Sequence, residues 1–227
     1  MFLTLLFSSP PLALAWIIAI LFSLTVHEFS HGLMAKVRGD LTAEREGRLT
    51  LNPLAHLDVF GFIPLLLFGF GWAKPVPFNP YNLKNPKWDS VLIALAGPAS
   101  NLIIAIVCSM AFRYLVVGGI LSSYSLLSAF LFFFILLNLF LMLFNIIPIE
   151  PLDGSKLFFA LFDAPKYEQL RRFVFVRGPQ MLMFAVFISL LTNIDIFFFI
   201  SRPAYAICHS LTGTSCEAYQ SMLFSSL

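Results

Sequence analysis

From Pro11 to Val26 the chain carries no charged residue, and this run passes directly into His27-Glu28-Phe29-Ser30-His31. Few folds are open to such a stretch. About 20 apolar residues cross the hydrocarbon layer of a bilayer, and within that layer the backbone must satisfy its own polar groups, which leaves a helix. On a helix, residues four apart share a face. Both imidazoles of the H-E-x-x-H sequence can therefore reach one metal ion, with Glu28 placed to take a proton from a water at the metal instead of binding it. Ionisable groups at that depth need partners. A metal is one answer, and neighbouring carboxylates that satisfy the two histidines are the other.

Composition bears on the rest of the chain. It is 59% hydrophobic and 11% charged with 27 phenylalanines, far above the apolar share of a soluble domain, so this is an integral membrane protein with the lipid bilayer as its surroundings. A net charge of +2, with Lys and Arg scattered along the sequence, excludes a nucleic-acid surface. No Lys or Arg precedes the first apolar stretch, so the first span reads as retained and not as a cleaved signal peptide.

The chain reads as a single membrane-embedded domain, 1–227. The fold class is an all-α polytopic membrane protein of about four transmembrane helices, with a small β or re-entrant region between the first and second. Span one is 11–34, with Gly39-Asp40 at its exit. The loop 37–88 is rich in Arg, Lys, Pro, Gly and Asn. Within it Arg48 to Leu51 and Lys74 to Pro77 read as short strands or extended edges, and Val59 to Phe70 is too short for a crossing and reads as re-entrant or interfacial. Span two, 90–117, contains Gly97-Pro98-Ala99-Ser100-Asn101, where small residues admit close helix packing and Pro98 frees backbone groups; packing and a direct part in the site are both open. Span three, 126–147, breaks at Pro148. A polar segment with Arg171, Arg172 and Arg177 precedes span four, 178–192, whose far edge is marked by Asn193 and Asp195. The tail 196–227 reads as an interfacial segment, because Arg202-Pro203 interrupts a possible fifth span.

Seven of the fourteen Lys and Arg residues lie between Lys36 and Lys87 and five between Lys156 and Arg177. By the positive-inside rule both loops are cytoplasmic and the N-terminus is outside. This predicts a multi-pass protein of the cell membrane whose site faces the cytoplasm. Cys208 and Cys216 then fall outside, where a disulfide is permitted, and Cys108 is a small core residue.

A catalytic zinc site usually takes three protein ligands and leaves one position for water. Asp153 is the best third ligand, since Pro148 and Pro151 break the helix at membrane depth and Gly154 permits a tight turn; the alternative is a turn or cap aspartate. Asp58 and Glu150 are weaker candidates and His56 reads as a loop histidine. His209 falls on the far side. Asn138 and Asn145, seven apart on one helix face, read as interhelical hydrogen-bond formers, and Asn145 is also close enough to Asp153 to donate to a developing oxyanion.

His27 to His31 followed by Asn145-Ile146-Ile147-Pro148-Ile149-Glu150-Pro151-Leu152-Asp153-Gly154 resembles the site-2 protease family of intramembrane zinc metalloproteases. Gly47 to Asp58, Gly71 to Pro77 and Gly97 to Asn101 are similar to its short branch, and the likeness covers about Leu24 to Leu157. The resemblance implies one Zn2+ per chain held by His27, His31 and Asp153, Glu28 as the base and Asn145 as a polar helper. It also implies cleavage of single-span membrane protein substrates inside the bilayer, with regulated release of a membrane-tethered signalling factor. Two departures stand out: Glu150 in place of an uncharged residue, and Val59-Phe60-Gly61-Phe62 in place of Pro-x-Gly-Thr. No insert is large enough for a PDZ domain. A membrane zinc transporter, which would not need Glu28, and a proteolytically silent helix-binding scaffold are the competing functions.

Overall fold

The computed structural model describes residues 2–68, 71–192 and 194–225. After the short α1 (Phe2–Ser8), α2 (Pro10–Arg38) opens with two prolines, whose missing N–H groups are harmless in a first turn. It closes at Gly39, where φ of +107° lets the Asp40 N–H return to the Ala35 carbonyl at 2.9 Å. One turn, α3 (Thr42–Arg45), and the helix α4 (Val59–Phe68) follow. Next come α5 (Pro86–Phe112), which continues through wider turns to Val117, and α6 (Leu126–Asn145). Asn85 caps α5 by accepting from the Trp88 N–H, and Ser125 caps α6 by accepting from the Ser128 N–H at 3.1 Å. The remaining helices are α7 (Gly154–Leu161), α8 (Glu168–Thr192), α9 (Phe198–Thr212) and α10 (Cys216–Ser225).

Helices α2, α5 and α6 pack on one another and form the core. Lipid tails are as apolar as leucine, so such helices associate through close packing and polar contacts. Ala19, Ala105 and Ala129 let the backbones approach, and Phe112, Phe132, Ile135 and Leu139 fill the space between them. Four helices are long and apolar enough to cross a membrane: α2, α5 with its extension to Val117, α6, and α8 with the turn from Pro165. The last joins the polar segment and the fourth span expected from the sequence into one continuous helix, of which only Gly178 and Val186 are buried. Asn193 lies outside the described residues.

The tail differs from the expected interfacial segment. α9 buries Ile200, Ala204, Cys208 and Thr212, one face at four-residue spacing, against α6 and α5. Phe197 meets Phe144 with ring centroids 5.8 Å apart, while Gly213 lies beside Arg113. α9 therefore runs from the C-terminal end of α6 towards the opposite end of the bundle. Arg202 settles over the Phe198 ring at 5.5 Å and the helix passes through Pro203, so packing overrides the break. A disulfide joins Cys208 to Cys216. The Tyr219 hydroxyl of α10 donates to the Ser123 carbonyl at 2.7 Å.

The small β region also differs: among the described residues no strand is present. The segment 71–79 is extended, but Pro75 and Pro77 have no N–H to offer a ladder. One side chain and one backbone contact hold it instead. Arg48 Nη2 donates to the Lys74 carbonyl at 2.7 Å, and the Lys74 N–H to the His56 carbonyl at 2.8 Å. α4 is about 15 Å long, too short to cross a bilayer. The chain folds back against it so closely that a Cβ on Gly61 would stand 2.1 Å from the Trp72 carbonyl oxygen.

Candidate metal centre

The C-terminal half of α2 carries His27, Glu28 and His31, all buried although α2 is an apolar helix. Their Nε2 atoms face each other at 3.0 Å. Asp153 Oδ2, arriving from the turn after α6, stands 3.2 Å from His27 Nε2 and 3.4 Å from His31 Nε2. Ligands at 2.0–2.1 Å from one tetrahedral ion are spaced by about 3.3 Å, so the three separations match a shared ion. The donor set agrees. His31 Nδ1 lies 2.7 Å from the Ile93 carbonyl, which can only accept, so the proton is on Nδ1 and Nε2 presents a lone pair. Asp153 Oδ2 is buried with no hydrogen-bond donor among the described residues. Electron pairs gathered this closely call for a cation, and the group His27, His31 and Asp153 fits one.

Neighbouring elements make the gathering possible. Gly97 of α5 lies against both rings: a Cβ there would stand 2.5 Å from His31 Nε2 and 2.6 Å from His27 Cε1. Pro98 has no N–H for the Ala94 carbonyl, and one residue earlier the Ile93 carbonyl accepts from the His31 ring. Between the packing and site readings left open for Gly97 to Asn101, the segment serves both. Asn101, fully buried, places Oδ1 2.6 Å from His27 Nδ1. Asp153 sits at the start of α7, yet its side chain caps nothing there and turns to the histidines. Gly154 follows because a Cβ would meet the Ile146 carbonyl oxygen at 2.0 Å, a matter of close approach and not of a left-handed turn.

The Glu28 carboxylate accepts the Val76 N–H at 3.0 Å, so the extended segment 71–79 lies over the site. That segment is anchored by Asp40, which the sequence suggested only as part of a helix exit. Its Oδ1 accepts from the Thr42 N–H and hydroxyl and from Asn82 Nδ2, and its Oδ2 accepts the Asn79 N–H at 2.7 Å. Burial works to raise the Asp40 pKa, and the hydrogen bonds from Asn82, Thr42 and Asn79 overcome it and hold the carboxyl below its ordinary value. Arg38 and Asp89 pair at 2.7 Å and tie the end of α2 to the start of α5.

Other sequence candidates lie elsewhere. Asn145 Nδ2 donates to the Leu141 carbonyl on its own helix at 2.9 Å, outside the metal group. Asp58 caps α4, accepting the Phe60 N–H at 2.8 Å. Glu150 pairs with Lys156 at 2.9 Å. His56 Nε2 donates to the Thr50 carbonyl at 2.8 Å, as a loop histidine should, and His209 is exposed on α9. From the sequence, Asn101 stands in a segment open to both packing and the site, without its contact to His27, and Val76 stands only on a short strand or extended edge. A fully polar side chain in an apolar span was the available signal for the first, and nothing local marks the second.

Comparison with known proteins bears on this group as a whole. The family model described as peptidase family M50 matches residues 15–123 and 115–192. YwhC of Bacillus subtilis (strain 168), which carries the name "Putative zinc metalloprotease", is 44% identical over 144 residues, 62% of this chain and 66% of that protein. Proteins given the same description are MJ0611 of Methanocaldococcus jannaschii, 33% identical over 130 residues, and Rip2 of Mycolicibacterium smegmatis, 35% identical over 91. These alignments take in 57% and 38% of this chain and 61% and 35% of the relatives, so the chain spans less than two thirds of either. No solved structure matches it at a significant level. With a match that runs from α2 through α8, the chain belongs to peptidase family M50, the site-2 protease family.

Proposed function

We propose that the chain is an intramembrane zinc endopeptidase that cuts the transmembrane helix of a single-span membrane protein. The observation that carries this reading is the convergence of His27 Nε2, His31 Nε2 and Asp153 Oδ2 beside the Glu28 carboxylate. The group lies roughly 10–17 Å along α2 from its polar end, within the thickness of a bilayer. Zinc, when bound by those three residues, supplies Lewis acidity and makes water a better nucleophile near neutral pH.

Glu28, with its carboxylate steadied by the Val76 N–H, accepts the proton that the attacking water gives up and passes it to the departing amide nitrogen. Asn145 would have to turn its amide away from the Leu141 carbonyl to donate to the substrate carbonyl oxygen, an interaction worth up to about 3–4 kcal/mol when preorganised. The substrate must be locally unwound, since a helix hides its carbonyls in its own hydrogen bonds. Strand addition at Val76 would take its N–H from Glu28, which leaves the backbone near Leu49 as the better pairing edge.

The Lys and Arg asymmetry supports a cytoplasmic position for the Arg38 and Lys87 end of the bundle. The disulfide supports this, because Cys208 and Cys216 sit towards the other end, near Ser123, where an oxidising compartment would let it form. The test is to purify wild type and Glu28→Gln, measure zinc in each, and incubate both with a panel of single-span membrane substrates. About one zinc in both and cleavage within the span by wild type alone is the expected result. Zinc in both with cleavage by neither would favour a transporter or a silent scaffold.

A further inference from the structure

We propose that Asn138 of α6 is a positioning residue that sets the tautomer of the metal ligand His27, acting through Asn101. The inference rests on the reading of His27 as a metal ligand. Four polar side chains form an unbroken line through the apolar core. Ser23 Oγ donates to the Ala19 carbonyl at 2.7 Å. Asn138 Nδ2 donates to Ser23 Oγ at 2.8 Å and to the Phe134 carbonyl at 2.8 Å. Asn101 Nδ2 donates to Asn138 Oδ1 at 2.7 Å, and Asn101 Oδ1 meets His27 Nδ1 at 2.6 Å. Ser23, Asn101 and Asn138 are all fully buried, out of reach of bulk solvent.

The line has a direction, and its far end fixes it. A backbone carbonyl can only accept, so the Asn138 atom against the Phe134 carbonyl must be the NH2 group. Its other amide atom, facing Asn101, is then the oxygen, and Asn101 must turn its own NH2 group to it. That leaves an oxygen against His27 Nδ1, so Nδ1 carries the proton and Nε2 is left with the lone pair a metal needs. If either amide were reversed, Asn101 would donate to Nδ1, the proton would sit on Nε2, and that atom could not bind the ion. His31 reaches the same state in one step, against the Ile93 carbonyl. For His27 the equivalent carbonyl lies two amides away.

The test measures zinc affinity by chelator competition in detergent-solubilised protein, which reads the ligand without any turnover. Asn138→Leu removes the donor and acceptor while keeping the same branched skeleton and is expected to weaken zinc binding about tenfold. Asn101→Asp has no NH2 group to offer Asn138 but keeps an acceptor on His27 Nδ1, so the pair Asn101→Asp with Asn138→Leu is expected to return to within about threefold of wild type. Ser23→Ala leaves the Phe134 carbonyl in place and should bind as wild type does. The proposal is overturned if Asn138→Leu binds zinc as tightly as wild type, if the paired variant stays as weak as Asn138→Leu, or if Ser23→Ala, which keeps the core volume, shows the tenfold loss. A wild type without zinc would overturn the metal reading itself, a result distinct from any of these.

Discussion

Helices α2 and α8 are both long and apolar enough to cross a membrane, yet half of the α2 span is buried in the protein against 11% of the α8 span. Hydrophobicity does not distinguish them. What does is the supply of small and polar residues, because in lipid an apolar side chain gains little by leaving one hydrocarbon surface for another. α2 meets Gly97 of α5 at its histidines and Asn138 of α6 at Ser23. α8 offers Gly178, against Ile149, and beyond it a surface of Phe173, Met181, Phe184 and Leu191 turned outward. Capacity to span is thus written in composition, while membership of the core is written in a few exceptions to it.

The comparison is broken most severely by filling the closest approach in the core. Gly97→Ala would put a methyl group within 2.6 Å of both histidine rings. Neither ring can retreat without losing its Nδ1 contact, to Asn101 or to the Ile93 carbonyl. Zinc binding and cleavage should both be lost, with the helices still inserted. Retained zinc in purified Gly97→Ala would mean that the α2 and α5 contact is looser than its geometry implies.

A smaller effect is expected at the polar end, where Asp40 anchors the segment that lies over Glu28. Its pKa is depressed in the folded protein, so its contribution is present above the unfolded value of about 3.9 and fades as pH falls through the lower folded value. Limited proteolysis between pH 6 and 3 should find the loop 71–85 cut increasingly at the acid end. Asp40→Asn should already be cut at neutral pH, since its hydrogen bonds are no longer charge-assisted. A wild-type loop equally resistant at pH 3 and pH 6 would count against the anchor.

Much of the candidate metal group is legible because its chemistry has fixed spacing. His27 and His31 at four residues, Glu28 between them and a carboxylate after a broken helix follow from helix geometry and ligand number. The residues that hold them did not follow as easily. Asn138 reads as an interhelical hydrogen-bond former and Asn101 as part of a segment open to packing or to the site, and only the fold puts them in line; the part of Val76 is a backbone N–H, which no side chain encodes. The β region was only half legible, because short strands and extended edges read alike from the sequence, although Pro75 and Pro77 rule out a regular ladder. The tail failed for a different reason. Arg202-Pro203 is a local break signal, and the Ile200, Ala204, Cys208 and Thr212 face, whose packing outweighs it, becomes meaningful only beside α5 and α6.

The comparison is sharpened directly by making the same change in both kinds of helix. Phe132 of α6 is fully buried and stacks on Tyr219 with centroids 4.8 Å apart, whereas Phe184 of α8 is 66% exposed. Phe132→Ala opens a cavity among fixed neighbours and should lower stability by about 3–5 kcal/mol. Phe184→Ala removes a ring whose surroundings are lipid, which flows into the space, so the change should stay within about 0.5 kcal/mol. Thermal unfolding in one detergent reads both, and the prediction lies in the ratio. If Phe184→Ala proved as damaging as Phe132→Ala, α8 would be held by contacts that this single chain does not supply, and size-exclusion with light scattering would then be expected to find a second copy.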